Sequence, residues 1–83
     1  MEIIDIRENF EYRIGHIPNS INISKDLLEI NPDKYISKNK KYVLYCDRGI
    51  ISSELSKKLN AMGYNTKSLK GGYYGFLKNN TNL

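Results

Sequence analysis

Cys46 is the only cysteine in the chain, and its setting suits nucleophilic chemistry. Residues 41–45, Lys-Tyr-Val-Leu-Tyr, read as a buried strand rich in β-formers. The segment Cys46-Asp47-Arg48-Gly49-Ile50-Ile51 follows, and Ser52-Ser53-Glu54 then opens an amphipathic helix. A thiol must ionise before it can attack. At the carboxyl end of a strand, in a short loop feeding a helix N-terminus, backbone N–H dipoles favour the thiolate and any anion beside it. The bland alternative is a buried structural cysteine acting as a small hydrophobe. The charged neighbours Asp47 and Arg48 argue against deep burial.

The elements that must position this thiol alternate along the chain. Residues 1–6 read as a strand, and residues 7–15 as a polar, punctuated stretch with Phe10 and Tyr12 tucked under a loop. His16-Ile17-Pro18-Asn19-Ser20 is a turn. Residues 21–23 fit a short strand, and Ser24 caps a brief helix over 25–30. Pro32 starts a second helical turn through Tyr35 and Ile36. After the strand at 42–45, the stripe Ile51, Leu55, Leu59 and Met62 marks one apolar helix face, ended by Gly63. Residues 64–69 form another strand, Gly71-Gly72 a turn, and residues 73–78 a closing helix before a frayed Asn-rich tail at about 79–83. Strands alternating with helices over short connections argue for an α/β fold with a parallel sheet. In open sheets of this kind, ligands bind at the carboxyl ends of strands.

Length and composition set the outer bounds. With 83 residues, the chain is read as one domain, and a domain of that size buries only about 60–65% of its unfolded surface. The net charge of +4 arises from lysines spread over several segments, without a basic and aromatic stripe, which argues against nucleic acid and for small anions. One cysteine and one histidine make neither an internal disulfide nor a metal site. No apolar run approaches the ~20 residues of a membrane span, and no signal segment opens the chain. The expected location is therefore cytoplasmic, where a thiol stays reduced.

Several motifs occur together in register. Asp5-Ile6-Arg7, then Glu11-Tyr12 and Gly15-His16-Ile17-Pro18, resemble the opening signature of the rhodanese domain family. Tyr45-Cys46 with Gly49 and Ser52, the trailing helix, and Leu69-Lys70-Gly71-Gly72 resemble its active-site and closing motifs. The resemblance runs over residues 3–76. It implies a rhodanese-like three-layer sandwich, a parallel sheet flanked by short helices, with an active loop at 46–51. It also implies sulfurtransferase chemistry through a persulfide on Cys46, with no cofactor. The chain departs from the family pattern in three places. A strand and helix usually precede the Asp-x-Arg strand, and there are no residues for them here. Ile51 stands where a basic residue is common, and Phe76 where the closing aromatic is often Trp.

On this resemblance, Cys46 is the catalytic residue: it attacks the outer sulfur of a donor such as thiosulfate, and a thiol or cyanide acceptor removes the sulfur. A protein sulfur acceptor is a further option, and an exposed sheet edge allows a dimer. Asp47, Arg48, Gly49, Ile50, Ile51 and Ser52 are the substrate-binding residues. Arg48 would steer an anionic donor, Gly49 would curve the loop, and Ile50 and Ile51 would form an apolar lip. Ser52 is expected to cap the helix, with its hydroxyl also free to reach the sulfur. Asp47 opposes ionisation of the thiol unless it turns outward or pairs with Arg48. Asp5, Arg7 and His16 are structural support. The alternative is a non-catalytic rhodanese-like module that senses persulfide or docks a partner. A cysteine phosphatase is disfavoured, because that chemistry wants an arginine where this chain has Ser52.

Overall fold

The computed structural model describes the backbone of residues 1–81 and the side chains of residues 1–79. Strand β1 (Glu2–Asp5) leads to helix α1 (Asn9–Ile14), then β2 (Ser20–Asn22), α2 (Lys25–Ile30) and a single 3-10 turn at Pro32–Lys34. Strand β3 (Lys41–Tyr45), helix α3 (Ile50–Ala61), β4 (Asn65–Ser68) and α4 (Gly72–Thr81) complete the chain. All strand pairs are parallel, in the order β2-β1-β3-β4. The chain steps outward from β1 to β2, then crosses back to lay β3 on the other side of β1. The direction of winding therefore reverses between β1 and β3, and a crevice opens past their carboxyl ends. The register pairs Asp5 with Tyr45, so Arg7 and Cys46 both emerge at that crevice.

Alternation along the strands divides the core into two layers. Ile4 and Leu44 are paired in register, and they pack with Leu28 of α2 and with Leu55 and Leu59 of α3 in one apolar cluster. All five are almost wholly removed from solvent, which stabilises by about 1.5–3 kcal/mol each relative to exposure. The other sheet face presents Asp5 and Tyr45, both fully buried. The Tyr45 ring stacks on Tyr73 of α4 at 6.1 Å, and its hydroxyl accepts the Ile17 N–H at 3.0 Å. Helices thus cover both faces, and the α/β three-layer sandwich stands. Among the described residues no helix is long and apolar enough to cross a membrane.

Four local expectations are corrected. Residues 9–14 form a helix where a loop was expected; Phe10, Tyr12 and Ile14 recur with a period of two, which hides a helix, and none of its residues is buried. Helix α3 begins at Ile50, with Gly49 at its N-cap, so Ser52 is not the cap. Its buried face is Ser52, Leu55, Ser56 and Leu59, while Ile51 and Met62 of the expected stripe are about half exposed. The serines are buried because β4 meets α3 through hydroxyl groups: Ser52 with Ser68 at 2.6 Å, and Ser56 with Thr66 at 2.6 Å. Finally, α4 runs to Thr81, so residues 79–81 are helical, and 82–83 of the expected frayed tail lie outside the described residues.

Candidate functional site

The crevice is built outward from the end of β1. Arg7 and Asp5 are both buried, and the guanidinium forks onto the carboxylate, with Nε 3.1 Å from Oδ1 and Nη2 2.8 Å from Oδ2. The Arg7 N–H also donates to Oδ1 at 2.9 Å. The same Nη2 also donates to the Gly15 carbonyl at 2.8 Å, and the flat face of the guanidinium lies 4.2 Å from the centre of the Tyr73 ring. One side chain thereby ties the ends of β1, α1 and α4 together. Its remaining nitrogen, Nη1, sits 3.5 Å from Asp47 Oδ1. Asp47 pairs with Arg7 and not with Arg48. Its negative charge is directed toward a buried cation instead of the neighbouring sulfur.

Cys46 follows on from β3. Its sulfur receives the Gly49 N–H at 3.2 Å and the Ser52 N–H at 3.3 Å, and lies 3.4 Å from the Ser52 Oγ. The amides point inward because the loop carbonyls are held elsewhere. Tyr73 and Tyr74, in the first turn of α4, donate their N–H groups to the Cys46 and Asp47 carbonyls at 2.8 and 3.0 Å. That close docking requires glycine at position 72, since a Cβ there would sit 2.5 Å from the Cys46 oxygen, and its φ is +59°. Gly49 has φ +95°, a left-handed conformation that turns its N–H toward the sulfur and starts α3 at once.

Burial pushes the Cys46 thiol up, but the Ser52 hydroxyl and the amides of Ser52, Gly49 and Arg48 outweigh it and hold the thiol below its ordinary value. These are the charge-stabilising contacts a thiolate needs. Cys46 is 7% exposed, deeper than its charged neighbours suggested. It reaches solvent at the floor of a cleft of about 590 Å³.

The structure brings most of the sequence-selected residues to this cleft. Cys46, Asp47, Arg48, Ile50 and Ile51 all line it; Ile50 and Ile51 are exposed lip residues, and Arg48 lies over the Tyr74 ring at 6.0 Å. Gly49 and Ser52 form the wall behind the sulfur. His16 is exposed and does not line the cleft; its ring stacks on Tyr12 at 3.8 Å. Sequence reasoning missed Tyr73, whose ring carries the Arg7 guanidinium, and Ser68, the hydroxyl behind Ser52. It also missed the charged rim contributed by Glu8, Glu11, Lys25 and Asp26.

The family model described as "Rhodanese-like domain" matches residues 1–79. A tRNA uridine(34) hydroxylase of Buchnera aphidicola is 36% identical over 80 residues, covering 89% of this chain and 26% of that protein. A tRNA sulfurtransferase of Desulfurococcus amylolyticus is 36% identical over 70 residues, covering 84% of this chain and 14% of that protein. The chain thus spans about a quarter or less of the length of these curated relatives. A crystal structure of a rhodanese-related protein from Thermoplasma volcanium superposes with a TM-score of 0.84 at 32% identity, covering 94% of this chain and 77% of that one.

Proposed function

This chain belongs to the rhodanese-like domain family, and from that premise we propose that it is a sulfurtransferase carrying sulfane sulfur on Cys46. The observation that carries the proposal is the sulfur itself, bonded by the Gly49 and Ser52 amides at the floor of an open cleft. With thiosulfate as donor, the Cys46 thiolate attacks the outer sulfur, a new S–S bond forms, and the donor S–S bond breaks. Its electron pair leaves with sulfite. Cyanide or a thiolate then attacks the outer sulfur of the persulfide and returns Cys46 as thiolate. Negative charge stays on sulfur throughout, so preorganised amide donors serve both halves. No separate general base is needed when the resting thiol is already ionised.

Arg48 is the exposed cation of the loop and meets an anionic donor first. An exposed charge interaction is worth about 0.2–1 kcal/mol. Arg48→Ala is therefore expected to raise KM for thiosulfate by at most about fivefold and to leave kcat nearly unchanged, as steady-state rates would read. The lip of Ile50 and Ile51 favours an acceptor that presents apolar surface beside its thiol, including a protein thiol. Two relatives are named for tRNA chemistry, a tRNA uridine(34) hydroxylase and a tRNA sulfurtransferase, and such a setting is compatible with sulfur handed on to a further step. The test is thiocyanate formation from thiosulfate and cyanide. Turnover above the buffer rate supports the sulfurtransferase. Its absence, with a persulfide still forming on Cys46, would leave the module that senses persulfide.

A further inference from the structure

Behind the sulfur lies a line of three groups, the Ser52 hydroxyl, the Ser68 hydroxyl and the Gly49 carbonyl, of which the site as described so far uses only the first. Cys46 Sγ is 3.4 Å from Ser52 Oγ, Ser52 Oγ is 2.6 Å from Ser68 Oγ, and Ser68 Oγ donates to the Gly49 carbonyl at 3.3 Å. Ser52 is fully buried, so its proton can be placed only along this line.

We propose that Ser68 is a positioning residue for Cys46, its hydroxyl on β4 setting the direction in which the Ser52 hydroxyl donates. When Cys46 is a thiol, its S–H donates to Ser52, Ser52 to Ser68, and Ser68 to the Gly49 carbonyl. All protons then point away from the sulfur. When the thiol gives its proton to water in the cleft, both hydroxyls rotate: Ser68 donates to Ser52, and Ser52 donates to the thiolate. The 2.6 Å bond between the serines is kept in both states with its direction reversed. The Gly49 carbonyl released by Ser68 still accepts the Ser53 N–H at 3.1 Å, so the reversal strands no buried polar group. A hydroxyl that accepts a hydrogen bond donates a stronger one. Ser68 therefore raises the strength of the Ser52 donor only in the thiolate state.

The charged and titratable groups that line the cleft shared with the sulfur come from other directions. Asp47 and Arg48 lie in its own loop, Arg7, Glu8 and Glu11 at the end of β1 and in α1, Lys25 and Asp26 in α2, and Tyr74 in α4. Among the described residues none of these is bonded to Ser52 or Ser68, so a change at Ser68 reads the hydroxyl line alone.

The inference rests on the sulfur-transfer reading for its purpose, but its test does not require turnover. The rate of Cys46 alkylation by iodoacetamide, followed against pH, gives the thiol inflection of each variant. Ser68→Ala is expected to move the inflection up by about half a pH unit, which slows alkylation at neutral pH by about threefold. Ser68→Thr, which keeps the hydroxyl, is expected to follow the wild type. An Ala variant that titrates with the wild type or below it, with matching melting curves, overturns the proposal. So does a Thr variant that shifts as far as Ala. Intact mass after incubation with thiosulfate is measured on the same samples. A wild type that gains no sulfur, alongside a shifted Ala profile, removes the sulfur-transfer reading and leaves the hydroxyl line supported.

Discussion

Cys46→Ser is expected to take up no sulfur and to form no thiocyanate above the buffer rate, while the fold survives. The sulfur is the only thiol in the chain, so no second nucleophile can replace it. A serine hydroxyl has no anionic form near neutral pH that two amides could hold, and it cannot form a persulfide. The substitution is nearly isosteric, and a serine oxygen can accept the same Gly49 and Ser52 N–H groups, so unfolding midpoints should change little. Two readouts check the result: intact mass, in which the wild type gains one sulfur that a reductant removes and the variant gains none, and cyanolysis. Residual turnover in the variant would place the chemistry elsewhere.

Arg7→Met is expected to give the largest loss of stability. Asp5 is fully buried and Arg7 nearly so, and breaking such a pair from one side costs about 3–5 kcal/mol, because the remaining charge has no partner. Methionine keeps the backbone N–H donated to Asp5 but removes the fork, the bond to the Gly15 carbonyl and the cation over Tyr73. Asp47 loses its buried counter-charge as well, so its field at the neighbouring sulfur grows and the thiol is expected to ionise less readily. Urea unfolding measures the first effect and alkylation the second. The double variant Asp5→Asn with Arg7→Met should recover part of the stability, since an amide oxygen still accepts the backbone N–H and no charge is left behind. If the double variant is no more stable than Arg7→Met alone, the cost lies in packing and not in the ion pair.

The thiol loop was legible because its signals are local. A run of β-formers at 41–45, a lone cysteine, and a glycine three residues on are all adjacent in the chain. Gly49 is where a left-handed φ is required, as the sequence suggested, but it serves as the N-cap of α3, a role expected of Ser52. A serine in the first turn reads as a cap until its partner is known. That partner, Ser68, is 16 residues away and on another element, so nothing in the local pattern reveals it. The pairing of Asp47 with Arg7 was hidden for a similar reason: it depends on the parallel register that sets Asp5 beside Tyr45. Helix α1 escaped notice because its apolar residues alternate, and because six residues with no buried side chain carry little periodic signal. The buried face of α3 was misread because Ile51 turns out to the cleft while Ser52 and Ser56 turn in.

Charge on the Cys46 sulfur is the premise of every chemical step above, and it is directly measurable in the wild-type protein. The ultraviolet absorbance of the thiolate, followed against pH with the Cys46→Ser variant subtracted, gives the ionisation of this one group. An inflection below the ordinary thiol value of about 8.5 is the expected result. An inflection at or above that value would mean that burial outweighs the amides of Gly49 and Ser52, and would contradict the account.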